Sequence, residues 1–362
     1  MTPGDRHVAQ AIMACRTEAL GGHVRRCEDC GHEETSYNSC RNRHCPKCQG
    51  AVEARWVEAR EADLLPVEYH HVVLTVPEDL NGLFLGNRRV AYGLLFTAAA
   101  KTLQEVALNP KRLGARIGIT AILHTWTQTL MYHPHIHCIV PGGGLSTAGD
   151  AWVSCRPGFF LPVRVLSRVF RGKLLSLFEQ ALDTGVLEAR PQDNAREHLA
   201  EASRKHWVVY SKPPVAGPKQ VLKYLGRYTH RIAISNPRLV SMDGGKVTFR
   251  WKDRAHGNAP REMTLHAPEF LRRFLLHVVP RGFTRIRHFG IFSNAIRRER
   301  IAMCRVFLGA SPAPTPDAEA PESWQERLRR LTGKDVTRCQ ACGSQRIAVH
   351  ELLPAALQPR AP

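Results

Sequence analysis

The stretch RIGITAILHTWTQTL (116–130), followed after Met131 and Tyr132 by HPHIHCIVPGG (133–143), decides the fold. Both segments contain many β-branched and apolar residues, and the second ends in a proline and two glycines, which are typical of strand ends. The sequence therefore predicts two neighbouring strands, with a tight connection between them at Met131–Tyr132.

The second strand places histidines on one face. Side chains two residues apart along a strand share a face, so His135 and His137 point the same way, while Ile136 points to the opposite, apolar side. Two imidazoles on a rigid strand form half of a site for a divalent metal ion. A surface strand with incidental histidines is the alternative. His133 would join the pair if the strand began that early, although Pro134 disfavours this.

The segment GPKQVLKYLGRYTHRIAISNP (217–237) contains a pair of tyrosines. Gly217-Pro218 is a suitable helix start, and the pattern predicts one short helix before a strand at Ile232–Ile234. Tyr224 and Tyr228 are four residues apart, so both phenols lie on one helical face. Packing of one or both rings into the core is the alternative, but the neighbouring lysine and arginines suit phenols that meet phosphate.

Two cysteine pairs near the start of the chain predict a zinc site. Cys27-x-x-Cys30 and Cys45-x-x-Cys48 each let two thiolates converge on one ion, and together they complete a tetrahedron. Either Cys40 or His44 could replace one of the four ligands. Basic residues between the pairs favour contact with nucleic acid, and a purely structural zinc is the alternative.

A third pair, Cys339-x-x-Cys342, stands far from the others. It forms only half of a site, so it requires partners from elsewhere in the chain, such as His350 or Cys304, or else binds nothing.

Composition favours an anionic polymer as partner. The 362 residues include 51 Lys+Arg against 32 Asp+Glu, a net charge of +19, and the sequence pI is about 9.9. Basic side chains that neutralise phosphates release counterions, which drives binding to nucleic acid. A basic protein that is merely soluble is the alternative.

No apolar run reaches the length of a membrane span, so we expect a cytoplasmic protein whose eleven cysteines are reduced and in part bind metal.

The remaining pattern predicts a mixed α+β chain. Strands are expected at 69–76, 117–130, 135–140, 206–210 and 246–251, and helices near 90–108, 163–189, 218–230 and 268–279. GASPAPTPDAEAPES (309–323) has the composition of a linker.

These motifs, taken together, resemble the HUH endonuclease superfamily, and in particular the two-tyrosine rolling-circle transposases of bacterial insertion sequences. The resemblance runs from about Cys15 to the segment FLRRFLLHVVPRGFTRIRHFG and is carried by motifs in the order of that family. They are CRTEALGGH, SCRNRHCPKCQ, YHHVVLTVP, LHTWTQTLMYHPHIHCIVPGGG and YLGRYTHRIAIS.

The resemblance implies a central antiparallel sheet with the histidines on a middle strand, a tyrosine-bearing helix over one face and a small zinc ribbon or finger before it. It also implies cleavage of single-stranded DNA by Tyr224 and Tyr228 through a 5′-phosphotyrosine. Mg²⁺ or Mn²⁺ would be held by His135 and His137. His133, Gln220 and His71 are the candidates for a third ligand.

The resemblance further implies a transposase that transfers DNA strands in rolling-circle transposition, in the bacterial cytoplasm at the nucleoid. A plasmid replication or mobilisation nickase and an inactive zinc-dependent DNA-binding protein are the alternatives; a fused helicase is disfavoured because no phosphate-binding loop motif occurs. The expected domains are the zinc-binding DNA-recognition domain (1–65), the nuclease domain (66–240), a basic extension (241–308), the linker (309–323) and a tail (324–362).

Overall fold

The computed structural model describes residues 2–61, 63–189, 194–212, 226, 233–253, 256–311 and 322–354. The chain divides into two compact units. A cysteine-rich unit combines residues 1–51 with 314–362, and a larger unit comprises residues 52–313. The tail expected at 324–362 thus shares a unit with the start of the chain, and the extension expected at 241–308 shares one with the nuclease region.

The described residues form helices and strands in mixed order along the chain. The helices are α1 (Pro3–Ala14), α2 (Gly50–Glu61), α3 (Asn81–Gly86), α4 (Arg88–Leu108), α5 (Val163–Asp183), α6 (Ala195–Arg204), α7 (Ala267–Leu276), α8 (Arg297–Phe307) and α9 (Trp324–Thr332). The strands are β1 (Gly22–Cys27), β2 (Glu33–Tyr37), β3 (Tyr69–Thr75), β4 (Ala115–Arg116), β5 (Gly118–Trp126), β6 (Tyr132–Pro141), β7 (Gly143–Ser146), β8 (Trp152–Ser154), β9 (Val209–Lys212), β10 (Leu239–Asp243), β11 (Lys246–Asp253), β12 (Ala259–His266), β13 (Ile286–Gly290) and β14 (Ile347–Leu352).

A five-stranded antiparallel sheet forms the centre of the larger unit. Its order is β13-β5-β6-β3-β9, so the histidine strand β6 is the middle strand. This confirms the expected α+β class and the central antiparallel sheet. The edge strand β13 comes from the predicted extension, so that region is part of the sheet rather than an appendage to it.

One face of this sheet is covered by helices. Ile136, Cys138 and Val140 of β6 are fully buried there, in a cluster with side chains of α4 and α5. Alternation along the strand sends every second residue to this face, as predicted for Ile136. The long apolar helices therefore fix the sheet from behind and leave the histidines on its other face.

The opposite face is apolar at one end and carries imidazoles at the other. Ile122 of β5 and Ile139 of β6 belong to a second buried cluster, against which Trp56 of α2 also packs. His124 lies two residues after Ile122 on β5, and His137 lies two residues before Ile139 on β6, so both histidines are on the same face as these isoleucines.

The connection between β5 and β6 is longer than predicted, and β6 begins earlier. The strands are separated by residues 127–131, and His133 and Pro134 both lie within β6. Between the pairs His124–His135 and Trp126–Tyr132, these two residues oppose the single Thr125, which forms a β-bulge. The bulge accommodates Pro134, because a bulged residue need not donate a ladder hydrogen bond.

The cysteine-rich unit contains a three-stranded sheet with the order β14-β1-β2. Strand β14, from the far end of the chain, pairs antiparallel with all of β1, from Gly22 opposite Leu352 to Cys27 opposite Ile347. This unit is therefore built from two distant parts of the sequence.

Candidate active site and cysteine clusters

Three histidines of the central sheet form a cluster. One ring nitrogen from each of His124, His135 and His137 lies within 4.8 Å of the others, and all three side chains are buried. Strand β5 supplies His124 and β6 supplies the other two, and the register sets His124 directly opposite His135. Imidazoles from adjacent strands on one face are a donor set that suits a divalent transition metal.

Hydrogen bonds fix the orientation of two of these rings. Nδ1 of His135 donates to the carbonyl oxygen of His133 at 2.7 Å, which leaves Nε2 with the lone pair. Nδ1 of His137 lies 2.7 Å from Nε2 of His71, and their rings stack with centroids 4.9 Å apart. Such outer partners set the tautomer and orientation of metal-binding histidines.

The third histidine of the cluster was not among the residues that the sequence suggested. His71 lies behind His137 as its hydrogen-bond partner, and His133 contributes its carbonyl oxygen rather than a ring nitrogen to the cluster. Gln220 lies outside the described residues. His124 could have been found by pairing the two neighbouring strands on paper. Once the length of their connection is known, the register sets His124 opposite His135.

The two tyrosines lie outside the described residues, but the glycine between them does not. Gly226 is buried in helical conformation against α2, where an added Cβ would lie 2.5 Å from Cγ2 of Val57 and 3.4 Å from Cγ of Glu53. Helix α2 in turn contacts the apolar end of the histidine face through Trp56. Gly226 therefore packs on a helix that lies over the face carrying the three histidines.

The connection beside the histidines is held by basic side chains. Arg238 donates to the carbonyl oxygen of Gln128, and Arg273 donates to that of Thr129 at 3.1 Å. His277 bonds the hydroxyl of Thr125 and the carbonyl oxygen of Leu130, and burial lowers its pKa to about 4. The contacts of Arg273 and His277 come from the segment predicted as an extension (241–308), so that segment supports the site.

The cysteines form two groups rather than the single site predicted. One group contains Cys15, Cys40, Cys45 and Cys48, and the other contains Cys27, Cys30, Cys339 and Cys342. The prediction joined Cys27 and Cys30 to Cys45 and Cys48, and the structure corrects it. The spacing between two pairs does not say which pairs meet, because each can be completed by residues that are distant in sequence.

Both groups have the spacing of four thiolates around one ion. The Sγ atoms of Cys40 and Cys48 are 3.9 Å apart, and those of Cys27 and Cys342 are 3.6 Å apart. A tetrahedron with Zn–S bonds of about 2.3 Å has an edge of roughly 3.8 Å, whereas sulfurs in a disulfide are about 2 Å apart. Cys40 thus belongs to a four-cysteine set, whereas His44 bonds the side chain of Asn42.

In the described part of the chain, no helix combines the length and the apolar character needed to cross a membrane.

Residues 1–76 match the family model described as "Transposase zinc-binding domain". The group formed by Cys15, Cys40, Cys45 and Cys48 lies wholly within this region, and its four thiols fit a structural zinc.

Residues 118–300, which include β5, β6 and β13, match the family model described as "Putative transposase". The chain is 51% identical over 350 residues to "Putative transposase y4qJ" of Sinorhizobium fredii, covering 94% of this chain and 88% of the relative. It is 28% identical over 342 residues to "Transposase for insertion sequence element IS801" of Pseudomonas savastanoi pv. phaseolicola, covering 93% and 81%. No solved structure matches. The chain therefore belongs to this family of insertion-sequence transposases, as the resemblance of its motifs to two-tyrosine HUH transposases with a zinc-binding domain predicts.

Proposed function

We propose that this protein nicks single-stranded DNA at the ends of an insertion sequence through a covalent 5′-phosphotyrosine and then transfers the strand. The observation that carries the proposal is the cluster of His124, His135 and His137 on one face of the central sheet. A buried set of three imidazoles on paired strands has little structural use, because an apolar set would pack the same space at lower cost.

The three histidines fit a divalent ion, and we propose Mn²⁺ or Mg²⁺. Imidazole ligands favour Mn²⁺ of the two, because Mg²⁺ prefers oxygen ligands. When bound, such an ion supplies positive charge to the non-bridging oxygens of the scissile phosphate. The protein holds the cluster rigidly, because His135 is fixed by the carbonyl oxygen of His133 and His137 by the ring of His71.

The proposed nucleophiles are Tyr224 and Tyr228. The phenolic oxygen attacks phosphorus, the bond between phosphorus and the 3′ oxygen breaks, and the phenol loses a proton while the leaving oxygen gains one. The products are a 5′-phosphotyrosine and a free 3′-OH. Because one phosphoester replaces another, the strand can be rejoined without ATP.

The packing of Gly226 supports a position of the tyrosine segment near the histidines. This residue stands between Tyr224 and Tyr228 in sequence and lies against Val57 of α2. Helix α2 covers the apolar end of the histidine face through Trp56. In the helix that the sequence predicts for this segment, the two tyrosines would be one turn apart and would act in succession, the second while the first is still bound to DNA.

The proposed partner is single-stranded DNA, at the element ends and at the target. The net charge of +19 favours a polyanion, and phosphate contacts make affinity fall steeply as salt rises. A plasmid nickase would share this chemistry and differ only in the DNA ends that it cuts.

The test uses single-stranded oligonucleotides from an element end, labelled at one terminus and incubated with the full chain and Mn²⁺. A 3′ label should move onto the protein in denaturing electrophoresis, whereas a 5′ label should appear in a shortened, protein-free product. At least one of the single variants Tyr224→Phe and Tyr228→Phe should still form an adduct through its remaining tyrosine, and the double variant should form none. Tyr37→Phe, at an exposed tyrosine of the cysteine-rich unit, is the control.

Two outcomes would overturn the proposal. DNA binding without any adduct in the wild type would favour a non-catalytic DNA-binding protein. An adduct that survives in the double variant would place the nucleophile elsewhere. Tyr210 is the first candidate in that case, because it pairs with Val73, which pairs with His137, and is exposed on the same face of the sheet. Adding Tyr210→Phe to the double variant would then show whether Tyr210 is the nucleophile.

A further inference from the structure

We infer that Cys27, Cys30, Cys339 and Cys342 bind a second zinc ion, which joins the segment 334–352 to the zinc-binding region at the start of the chain. The family match for zinc binding covers residues 1–76 and therefore contains only half of this site. The inference concerns the cysteine-rich unit alone and is independent of the proposed DNA cleavage.

The two halves of the site have the same backbone structure. In one, the N–H of Gly31 donates to the carbonyl oxygen of Cys27, and the N–H of Cys27 donates to that of His32. In the other, Gly343 donates to Cys339 and Cys339 donates to Ser344, with distances between 2.8 and 3.0 Å. The matched bonds form two equivalent turns, each presenting two thiols.

A glycine is required at the same place in both turns. Gly31 has φ +75° and Gly343 has φ +78°, in the left-handed region that other residues adopt at a cost. The two pairs therefore share the pattern Cys-x-x-Cys-Gly, which the pair at Cys45 and Cys48 lacks. Two such turns facing each other are the structure of a zinc ribbon.

The sulfur atoms are arranged as ligands. The Sγ atoms of Cys27 and Cys342 are 3.6 Å apart, as are those of Cys30 and Cys339, and one atom from each of the four lies within 4.8 Å of the rest. These distances agree with the edge of roughly 3.8 Å expected for a tetrahedral ZnS₄ site. A set of four thiolates with no other donor type favours zinc over magnesium or calcium.

The cysteine-rich unit has little else to stabilise it. Both hydrophobic clusters found among the described residues belong to the larger unit. The buried apolar side chains described in the cysteine-rich unit are Val8, Cys15, Cys27, Cys45 and Cys339. A unit whose buried apolar residues are mostly cysteines gains its folding free energy from metal rather than from a core.

Polar contacts align the two segments but do not replace the ion. Arg346 forms ion pairs with Asp29 at 2.9 Å and Glu28 at 3.2 Å, and Lys334 pairs with Glu34. The arginine and its partners are exposed, and exposed ion pairs contribute little to stability. The ladder between β14 and β1 sets the register that brings the second turn opposite the first.

The first test counts zinc ions in the full chain by native mass spectrometry. It is done in a His135→Ala, His137→Ala background, so that the histidine cluster adds no metal. We expect two zinc ions per chain, one after Cys342→Ala, one after Cys48→Ala and none after both. Cys342 is exposed, so its loss should not disturb packing, and Cys155→Ala, at a half-buried cysteine of the larger unit, should retain two. One zinc in the parent chain, or two after Cys342→Ala, would overturn the inference.

The second test asks whether the ion joins the two segments. A specific protease site is inserted within residues 314–320, and the chain is cleaved there. The fragment beginning after the cut should remain with the rest of the protein in size-exclusion chromatography and dissociate after chelation or after Cys342→Ala. Dissociation with zinc still bound, or equal retention in the variant, would show that the ion does not hold the segment.

Discussion

The histidine cluster and the second cysteine cluster are built in opposite ways. His124, His135 and His137 lie within fourteen residues of sequence, on two paired strands backed by a large apolar core. Cys27 and Cys342 are separated by 315 positions and meet in a unit with hardly any apolar core. In the first cluster the protein itself fixes the side chains, whereas in the second, if it binds zinc as proposed, the metal and the fold depend on each other.

This difference predicts that metal removal acts differently on the two units. A preorganised site keeps its shape when the ion leaves, because the sheet is stabilised elsewhere. A site that replaces a core loses its structure together with the ion.

The largest expected effect follows chelation of zinc. Structural zinc contributes about 10 kcal/mol or more in small zinc modules, so chelation should unfold the sheet β14-β1-β2 and leave β5 and β6 intact. Hydrogen exchange measured by mass spectrometry checks this: amides of β1 should lose protection while those of β6 keep it. If the amides of both strands lost protection, or if those of neither strand did, the two units would not differ in their dependence on metal.

Loss of a histidine ligand should act on catalysis without affecting zinc or folding. His124→Ala, His135→Ala and His137→Ala should each lower the rate of oligonucleotide cleavage by at least about 10³-fold, because metal-derived charge stabilisation amounts to several kcal/mol. Single-turnover cleavage at saturating Mn²⁺ is the measurement, with His133→Ala as a control that keeps the carbonyl oxygen. If activity were retained in His124→Ala but lost in His133→Ala, the third ligand would be the ring of His133 and not that of His124.

A smaller loss is expected when Gly226 is displaced from α2. In Gly226→Ala the new Cβ would lie 2.5 Å from Cγ2 of Val57, a branched side chain that cannot turn away freely. A shift of about 1 Å near the reacting groups can cost on the order of 10²-fold in rate. Val57→Ala should restore much of the rate in the double variant. Failure of this rescue, with folding intact, would mean that the contact does not position the tyrosines.

The ring behind His137 should tune metal affinity. His71→Phe keeps the stacked ring but removes the nitrogen that lies 2.7 Å from Nδ1 of His137. Loss of such an outer partner weakens metal binding about 10- to 100-fold, which titration of Mn²⁺ by electron paramagnetic resonance would measure. His71→Gln should recover part of the affinity. An unchanged affinity in His71→Phe would show that the bond does not orient His137.

The smallest effect concerns acid stability of the larger unit. Burial lowers the pKa of His277 to about 4, from about 6.5 for a free imidazole. Below pH 6.5 His277 binds a proton in the unfolded chain but stays neutral in the folded chain. The free energy of unfolding therefore falls as the pH drops from 6.5 to 4. At pH 5 this loss is about 2 kcal/mol. His277→Asn should flatten the pH dependence of urea unfolding, and His206→Asn, at an exposed histidine, should not.

Much of the catalytic region could be predicted from sequence because its geometry is local. Alternation along a strand by itself sets His135 and His137 against Ile136, and the strands and helices near 69–76, 90–108 and 163–189 lie where their patterns predict them. The third histidine could not be predicted in the same way. His124 reaches the cluster only through the register of β5 against β6, which depends on a bulge at Pro134.

The cysteine sites mark the limit of what the sequence determined. The pairs themselves, and their affinity for metal, are evident from spacing, since two thiols in one turn can hold an ion from the same side. Which pairs share an ion was decided by the tertiary structure. Strand β14 pairs with β1 and carries Cys339 and Cys342 to Cys27 and Cys30, leaving Cys45 and Cys48 to Cys15 and Cys40. Spacing constrains only residues close along the chain, whereas partners from its distant parts are chosen by strand pairing.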